Sequence, residues 1–394
     1  TDYAAECRNI TSENGTQRLC TPVASGWHWN NFTREEWKEF TSHNFKAGST
    51  NKIKIQANWA PKLGLNSREW FPQVTVAGVA YEQLKWFWWN TSFLRRVNIT
   101  INNTQNSNTL TDYQVPVNIT YDSDMQSDFS DLRFTWYNST TGNDTEIPYW
   151  IESQSNSNWA YVWVKVKEVK NQSYATVYVY YNNSSYAVSQ SDGDNTFIFF
   201  DDFDGNALNT SKWTNSSGGS GSVSVSASRV NLYTAGGSDY ATITSVSSFN
   251  TLNMLEMKLA FNTTQASPAQ SYIGYSNLFH QDYGTSASLR IHCPDNNYIG
   301  ITSDTDLNVW GLFKNSTACY SYKNRAYWAN KSPNCTGDMT IITNAYYGSV
   351  KAIDFVLIRS YKEPEPTYTY NISSEESYVG ATQKMNKLFF SGQN

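Results

Sequence analysis

From Trp89 onward, apolar and polar residues alternate in short runs that predict β-strands. The runs "YVWVKVKEV" (161–169) and "ATVYVYY" (175–181) alternate with a period of two residues. In "GSVSVSASRVNLYT" (221–234) the same period places Val223, Val225 and Ala227 on one face and serines on the other. Short runs separated by Asn, Asp, Gly and Ser are typical of antiparallel sandwiches. The pattern therefore predicts an all-β protein.

Residues 1–87 have a different pattern. They contain one helix-like segment, "NFTREEWKEFTSH" (31–43), in which Thr33 is a suitable N-cap and acidic residues follow in the first turn. They also contain two strand-like runs, "NKIKIQANW" and "PQVTVAGVAYEQLKWFW". We predict a short mixed N-terminal segment over 1–87, with a run that could serve as a donor strand, and a C-terminal tail over 373–394.

Composition limits the classes of function. The chain has 394 residues, enough for two or three domains, and only 16% of them are charged while 15% are aromatic. The net charge of −5 argues against binding nucleic acid through its phosphates. The sequence has no run of 18 apolar residues that could cross a bilayer, and its start is expected to be a mature N-terminus left by a removed signal.

Sequons for N-glycosylation are abundant. The chain has 19 Asn-x-Ser/Thr triplets, about twice the roughly nine expected by chance, so we predict covalent N-glycans and an extracellular, cell-surface location. Accidental triplets in an Asn-rich chain could account for half of them. The acceptors are Asn9, Asn14, Asn31, Asn90, Asn98, Asn102, Asn118, Asn138, Asn143, Asn171, Asn182, Asn183, Asn209, Asn215, Asn262, Asn315, Asn330, Asn334 and Asn371.

The five cysteines agree with an oxidising compartment. Cys7 with Cys20, and Cys319 with Cys335, have neither metal-ligand nor redox spacing, so we predict two disulfides. Cys293 is then left over. It is either buried and inert, or the three C-terminal cysteines pair in another way.

Several motifs resemble a known pairing of domains. "WWNTSFLRRVNITI", "SDFSDLRFTWYNSTTGNDTEIPYWIES", "AYVWVKVKEV" and "ATVYVYYNNS" follow one another in the order seen in an uncharacterised β-sandwich domain of archaeal and other prokaryotic secreted proteins, a domain of unknown function. In that family the domain continues into "FFDDFDG…L…SKW", which opens a concanavalin-like (laminin-G-like) jelly roll. Here that segment is "FIFFDDFDGNALNTSKW".

The end of the jelly roll is also similar, since "AIDFVLIRSYKEPEPTYTY" has the family's Asp-aromatic-Val strand and Glu-Pro step. One departure is Asn182, where the family has glycine after Tyr-Tyr. The resemblance covers about residues 88–372 and implies two tandem antiparallel β-sandwiches, 88–198 and 199–372. It implies no activity.

Three aspartates follow the first strand of the predicted jelly roll. Asp201, Asp202 and Asp204 could bind a structural calcium ion, or they could hydrogen-bond backbone amides in a turn with Gly205 at an unusual φ. We favour the turn and expect no required cofactor. Glycosidase chemistry needs two carboxylates, and the comparable strand "LNMLEMKLAF" contains only Glu256.

Other polar clusters are predicted to be structural. Asp122, Asp124, Asp128 and Asp131 lack the spacing of a calcium loop, and Asp131 and Arg133 are expected to pair or cap a turn. The histidines, which are His28, His43, His280 and His292, are scattered, so zinc-protease and haem motifs are absent from the sequence. We predict that the protein is not an enzyme.

The aromatic runs "LKWFWWN" (84–90) and "YWIES" (149–153) have two interpretations. Trp and Tyr rings can stack on sugars, but alternation along a strand more often places them in a core, with Trp86 and Trp88 on one side and Phe87 and Trp89 on the other.

Together these features favour a non-catalytic surface glycoprotein, a structural or adhesive subunit of a homo-oligomeric filament or coat. A lectin-like adhesin that binds a glycan ligand is the alternative.

Overall fold

The computed structural model describes residues 4–12, 15–23 and 88–378, the last with gaps at 184, 186–187, 251, 263–269, 276–277, 284–287, 293–299, 303–305, 316–317, 332–337 and 347–349. The chain divides into two compact units, Thr1–Lys85 with Val379–Asn394, and Trp86–Tyr378. Within the described ranges, no helix combines the length and apolar character needed to span a membrane.

The described part of the first unit is an antiparallel hairpin of β1 (Ala4–Ser12) and β2 (Gly15–Val23). Its register places Cys7 directly across from Cys20. Opposed residues in such a ladder have Cα atoms about 4.5–5.5 Å apart, which suits a disulfide. The predicted helix 31–43 and the strand-like run 51–59 lie outside the described residues, as does all of 72–88 except Trp88.

The second unit begins with a sandwich of two antiparallel sheets. Its first seven strands are β3 (Arg95–Asn102), β4 (Leu110–Thr120), β5 (Arg133–Asn138), β6 (Asn143–Ile147), β7 (Tyr149–Ser155), β8 (Trp159–Val169) and β9 (Tyr174–Tyr181). Sheet one contains β3-β9-β5-β6 and sheet two contains β4-β8-β7.

Strict alternation builds this core. In β3, Val97, Ile99 and Ile101 are fully buried between the sheets, whereas Asn98 is exposed and Asn102 partly exposed on the outer face. Successive side chains of a strand point to opposite faces, so each apolar residue of the alternating pattern faces the opposite sheet.

A second sandwich follows a one-turn helix, α1 (Gly193–Thr196). Its strands are β10 (Phe199–Asp201), β11 (Trp213–Gly218), β12 (Ser222–Val225), β13 (Val230–Tyr233), β14 (Tyr240–Asn250), β15 (Met254–Asn262), β16 (Gln270–Tyr275), β17 (Leu278–Tyr283), β18 (Ser288–His292), β19 (Gly300–Thr302), β20 (Asn308–Lys314), β21 (Cys319–Lys323), β22 (Ala326–Lys331), β23 (Asp338–Tyr346) and β24 (Val350–Arg359). Sheet three is β12-β13-β24-β15-β20-β21-β22, with β10 also on β24, and sheet four is β11-β14-β23-β16-β17-β18-β19.

The run 221–234 is a hairpin and not one strand, which corrects the predicted alternation through Ala227. Ala227 and Ser228 have φ of 51°, and the Ser226 and Arg229 backbones hydrogen-bond each other at 3.0 and 3.1 Å. Two consecutive residues with positive φ form the tight turn that suits the twist of a hairpin. Val223 and Val225 therefore pair with Leu232 and Val230.

After β24 the chain returns to the first sandwich. β25 (Thr367–Tyr370) and β26 (Glu376–Ser377) both pair with β3 and complete sheet one. The sequence assigned 367–372 to the jelly roll and 373–394 to a tail, and the structure instead places both strands in the first sandwich. Tyr368 and Tyr370 pack on that sandwich's core, which explains the return. The all-β prediction is confirmed: the described residues form several antiparallel sheets in two sandwiches.

Candidate functional site

The outer faces of sheets two and three meet at an apolar cluster. This junction cluster comprises Trp150, Trp163, Phe197, Phe200, Val309, Phe355 and Leu357. The ring centroid of Trp150 lies 4.7 Å from that of Phe200 and 5.3 Å from that of Phe355, with edge-on geometries. "YWIES" was expected to be either a sugar platform or core. Trp150 is buried, and it packs between the two sandwiches.

A chain of ion pairs, buried at its centre and partly exposed towards its ends, runs beside this cluster. Glu256 of β15 is 1% exposed, and its two carboxylate oxygens accept hydrogen bonds from Arg359 Nε at 2.7 Å and Arg325 Nε at 2.8 Å. Glu256 reaches this position because Leu255 and Met257 point into the second core, so the residue between them must face the first sandwich.

Each arginine extends the chain to a further carboxylate. Arg325 Nη2 donates to Glu152 Oε2 at 2.5 Å, and Arg359 Nη1 donates to Glu365 Oε1 at 2.6 Å. Both guanidinium groups lie over the ring of Trp163, at 4.9 Å for Arg325 and 5.2 Å for Arg359. We call Glu152, Arg325, Glu256, Arg359 and Glu365 the ionic chain.

Neutral groups attach the ionic chain to the first sandwich. Trp163 Nε1 donates to Glu152 at 2.7 Å, and Tyr113 Oη donates to Glu365 at 2.8 Å. Gln114 makes a separate buried bridge: its Nε2 donates to the Thr196 carbonyl at 2.9 Å and its Oε1 accepts from the Ser360 amide at 2.9 Å. Buried polar groups are therefore paired across the junction, as burial requires.

The charges at the junction shift the pKa values of the groups in the ionic chain. Burial by itself would raise the pKa of Glu256, but the charges of Arg325 and Arg359 outweigh it and hold that pKa below its usual value. Burial likewise opposes the charged forms of both arginines, yet their carboxylate partners raise each pKa. A general acid needs a raised pKa, and the pKa of Glu256 is shifted in the other direction.

A small cavity lies against the ionic chain, lined also by Met254, Val309, Gly311 and Tyr322. Gly311 leaves this space open, since a Cβ there would lie 3.1 Å from Tyr322 Cβ and 3.3 Å from Met254 Sδ. The lining mixes an aromatic ring with charged groups. Its charged groups already bond one another.

Asp201, Asp202 and Asp204 form a turn, and their carboxylates do not converge. Asp201 accepts from the Phe203 amide at 2.8 Å and from Trp213 Nε1 at 2.7 Å. Asp204 accepts from Ser228 Oγ at 2.6 Å, and burial followed by the charge of Asp204 raises the pKa of Asp202. Gly205 has the unusual φ expected of it, +106°. A calcium ion at these residues stays a prediction.

A different acidic cluster is present on the first sandwich. Among the described residues, Asp122, Asp124 and Glu375 have carboxylate oxygens within 4.8 Å of one another. Arg95 Nε lies 2.6 Å from Asp124 and 3.2 Å from Glu375, so the guanidinium of Arg95 already pairs with this group. Tyr181 also donates to Glu375.

The "DFSDLRF" segment caps turns. Of the two roles expected for Asp131 and Arg133, pairing with each other or capping a turn, this is the second. Asp131 accepts from the amides of Gln126 and Asn182, at 3.0 and 2.9 Å. Arg133 donates to the backbone carbonyls of Leu132 and Val188. Burial raises the pKa of Asp131 against these hydrogen bonds.

Trp88 and Trp89 do not alternate across a strand. Residues 88–90 are irregular, and both rings contact Tyr180, with centroids at 5.3 and 5.6 Å. Arg96 lies over the Trp88 ring at 4.7 Å. Trp86, Phe87 and His28, His43, His280 and His292 fall outside the residues whose side chains are described.

Most sequon asparagines whose exposure is described lie at the surface. Those exposed are Asn98, Asn118, Asn143, Asn171, Asn209, Asn215, Asn330 and Asn371. Asn90, Asn102, Asn138, Asn182 and Asn315 are partly exposed. Asn183 differs, being 5% exposed, with its Nδ2 buried and without a hydrogen-bond partner in the described part of the chain. The side chains of Asn9, Asn14, Asn31, Asn262 and Asn334 lie outside the described set.

The cysteine predictions remain largely outside the described residues. Cys319 is buried on the inner face of β21, while Cys293 and Cys335 fall in gaps. Their pairing stays a prediction.

Comparisons with known proteins give a partial match to a family of unknown function and structural alignments over about two fifths of the chain. Residues 128–216 match the sequence model of a family described as "Domain of unknown function (DUF2341)". An uncharacterised protein of Methanocaldococcus jannaschii is 30% identical over 90 residues, which is 21% of this chain and 16% of that protein. The chain thus spans well under two thirds of that relative.

Solved structures similar to this chain include three glycoside hydrolases. A glycosyl hydrolase family protein of Mycobacterium fortuitum aligns at a TM-score of 0.35 and 16% identity, covering 41% of this chain and 99% of that one. A beta-1,3-glucanase of Mycobacterium marinum gives 0.35 and 14%, covering 41% and 98%. A Bacillus licheniformis beta-glucanase gives 0.35 and 11%, covering 42% and 98%. Residues 128–216 are thus similar to that family of unknown function, and the three alignments report a structural likeness over about two fifths of the chain.

Proposed function

We propose that this protein is a non-catalytic, N-glycosylated extracellular protein that serves as a structural or adhesive subunit of a cell-surface filament or coat. The observation that carries the proposal is the placement of sequons. Among the sequon asparagines whose exposure is described, eight are exposed, and they occur on both sandwiches. A glycan needs a solvent-facing acceptor, so this surface could carry sugars on both bodies.

The state of the jelly-roll carboxylates supports a non-catalytic role. A glycosidase requires two carboxyl groups facing a sugar. Glu256 has both oxygens bonded to arginines, and Asp201 has both oxygens bonded to a backbone amide and an indole. Neither group is available to a substrate.

The junction supports a load-bearing role. Aromatic packing and the ionic chain cross between the sandwiches, and the chain passes from the first to the second and back again. Such a junction favours one relative orientation of the two bodies, which a filament or coat subunit needs.

Assembly by strand donation is the finer form of this proposal. An exposed sheet edge accepts a strand from another chain, and head-to-tail insertion that does not close produces a fibre. The donor would be one of the strand-like runs of residues 51–59 or 72–88. A form lacking residues 1–60, imaged beside the full chain, tests the first donor. Filaments that persist in the shortened form would eliminate it.

The decisive experiment is electron microscopy of material purified from the native cells, combined with glycopeptide mass spectrometry. Ordered assemblies with sugar density at the exposed sequons are expected. Monomeric, unglycosylated protein would refute the proposal.

A lectin-like adhesin is the second candidate, favoured by the three aspartates, Asp201, Asp202 and Asp204, that lie within four residues at the start of the second sandwich. A glycan array measured with and without calcium separates the two. Binding that is reproducible and lost in Asp202→Ala would favour the lectin.

A further inference from the structure

Four sequon asparagines lie directly across an antiparallel ladder from a tyrosine. The pairs are Asn98 with Tyr178, Asn102 with Tyr174, Asn118 with Tyr161, and Asn330 with Tyr320. Three of these pairs are in the first sandwich and one is at the edge of the second. The recurrence points to a relationship between the acceptor asparagine and the opposing ring.

Directly opposed residues project from the same face of a sheet. Their Cβ atoms lie about 4.5–5.5 Å apart, close enough for side chains to pack. On β3 and β9 this face is the outer one, because the intervening residues Val97, Ile99 and Val177 are buried in the core. A sugar attached to Asn98 or Asn102 would therefore begin beside the opposing ring.

The clearest pair is Asn102 with Tyr174. Tyr174 is 61% exposed, so its ring is open to solvent in the bare protein. Asn102 Oδ1 accepts from the Thr104 amide at 3.0 Å and from Thr104 Oγ1 at 2.7 Å. These bonds fix the amide through its oxygen, and they leave Nδ2, the atom that is glycosylated, free of this turn.

The other three rings, of Tyr178, Tyr161 and Tyr320, are partly buried, and Tyr161 packs against the junction cluster. Arg96 lies over the Tyr178 ring at 4.1 Å, Arg325 over the Tyr161 ring at 5.4 Å, and Phe313 has its centroid 5.8 Å from that of Tyr320. These contacts restrain the orientation of each ring. A restrained ring loses little entropy when a second group packs on it.

We propose that the tyrosine opposite each of these sequons is the packing platform for the N-linked glycan of that asparagine. The apolar face of a pyranose would cover the ring, and the tyrosine hydroxyl would stay at the wet edge. The covalent link supplies an effective concentration in the millimolar range, so weak stacking suffices. This inference rests on the proposed glycosylation, and it gives Tyr174, the exposed ring among the four, an occupant from its own chain.

Ring reactivity tests the proposal at Tyr174. Protein from cells that glycosylate it is treated with tetranitromethane, and nitration of each tyrosine is followed by mass spectrometry. Tyr233 is the internal reference, because it is 46% exposed and pairs with Ser222 and Val350, neither of which is a sequon asparagine. Nitration of Tyr174 relative to Tyr233 is expected to be several-fold slower when Asn102 carries its glycan.

Two variants remove the glycan in different ways. Asn102→Gln deletes the acceptor, and Thr104→Val keeps Asn102 but destroys the sequon. Both should restore fast nitration of Tyr174. Asn143→Gln is the matched control, since Asn143 is an exposed strand sequon opposite Asn138, and it should leave Tyr174 protected.

The outcomes separate this inference from the proposed function. If Asn102 is glycosylated but Tyr174 reacts at the same rate with and without the sugar, the platform is refuted and the surface glycoprotein stands. If Tyr174 stays protected in both variants, another occupant, such as a second copy of the chain, covers the ring and the inference fails. If the sequons are bare throughout, both proposals fail together.

Discussion

Arg325 of the second sandwich donates a 2.5 Å hydrogen bond to Glu152 of the first, across 173 residues of sequence. The same guanidinium also bonds Glu256 and lies over Trp163. One side chain thus ties together three groups from two sandwiches. Removing one member of this set leaves a charge of its partner buried without a counter-charge. The resulting loss of stability is larger than the net stabilisation that the intact set provides.

Glu256→Gln should destabilise the protein. The amide keeps the shape of the carboxylate but leaves Arg325 and Arg359 with one fewer anion each, so a loss of about 3 kcal/mol in the free energy of unfolding is expected. Urea unfolding measures it. Asp194→Asn is the control, because it breaks an exposed pair with Lys212 and should cost under about 1 kcal/mol. Equal effects of the two substitutions would contradict the importance of the ionic chain.

The same residue should shape the response to acid. The folded pKa of Glu256 is below its ordinary value of 4.5, so its contribution is complete above that pH and is lost as the pH falls through the lower folded value. Buried Asp131 and Asp144 act in the opposite sense, since burial raises both pKa values. We expect unfolding midpoints of the wild type to fall more steeply below pH 4.5 than those of Glu256→Gln. Parallel curves would show that Glu256 is not held in its charged form.

Trp150→Ala should weaken the junction. Trp150 contacts Phe197, Phe200 and Phe355, and truncating a buried aromatic residue typically costs 3–5 kcal/mol, here about 3 or more. Calorimetry should show a lower Tm and separation of the transition into two, one for each sandwich. Trp159→Ala is the control, because Trp159 is a strand tryptophan that is more than one-third exposed. A single transition at the wild-type temperature in Trp150→Ala would rule out this coupling.

Gly193→Ala should disturb the same junction from the other side. A Cβ at Gly193 would lie 2.2 Å from the Phe200 ring, so either α1 or that ring must move. Overpacking of this kind costs about 1–3 kcal/mol. The loss should be smaller in a Phe200→Leu background, where the ring is absent. An equal loss in both backgrounds would point to backbone effects.

Asp201→Ala should destabilise the second sandwich without involving a metal. It removes acceptors from a buried indole and a backbone amide, which costs about 1–3 kcal/mol for each donor left unsatisfied. Asp204→Ala, at an exposed position, is the control. We expect the Tm of the wild type to be the same in EDTA as in millimolar calcium. A rise of several degrees with calcium that Asp201→Ala abolishes would reinstate the ion.

Glycan occupancy should follow exposure. The exposed asparagines, such as Asn98, Asn209 and Asn371, should carry sugars, and Asn183 should be bare because folding buries it. Glycopeptide mass spectrometry of native protein measures each site. Full occupancy of Asn183 would mean either modification before folding or a different local structure.

Alternation predicted strands such as β8 and β9, but not the turn at Ala227 and Ser228 or the way the two sandwiches meet. Val162, Val164 and Val166 define the inner face of β8 from sequence alone. Glu152, Glu256 and Arg325 are isolated charged residues in polar or alternating segments, and such residues usually face water. Their mutual distance depends on sheet packing between segments far apart in sequence, which periodicity does not encode.

One signal could have indicated the junction. β8 carries Tyr161 and Trp163 on the face that alternation assigns to solvent, and β24 contains the continuous run "FVLI". Strands that are apolar on both faces are typically covered on both. The sequence of β25 gave no comparable indication that this strand belongs to the first sandwich, because "TYTY" alternates as any edge strand does.

The return of the chain also sets an order of assembly. The edge of β3 is covered by β25, and β25 is synthesised only after every strand of the second sandwich has been made. During synthesis the first sandwich therefore has an exposed edge at β3 until β25 is made, and this edge can pair with another strand in the meantime. Cleavage in the short link between β24 and β25 would leave β25 and β26 on β3 through non-covalent contacts alone, so their dissociation would then expose that edge to another strand.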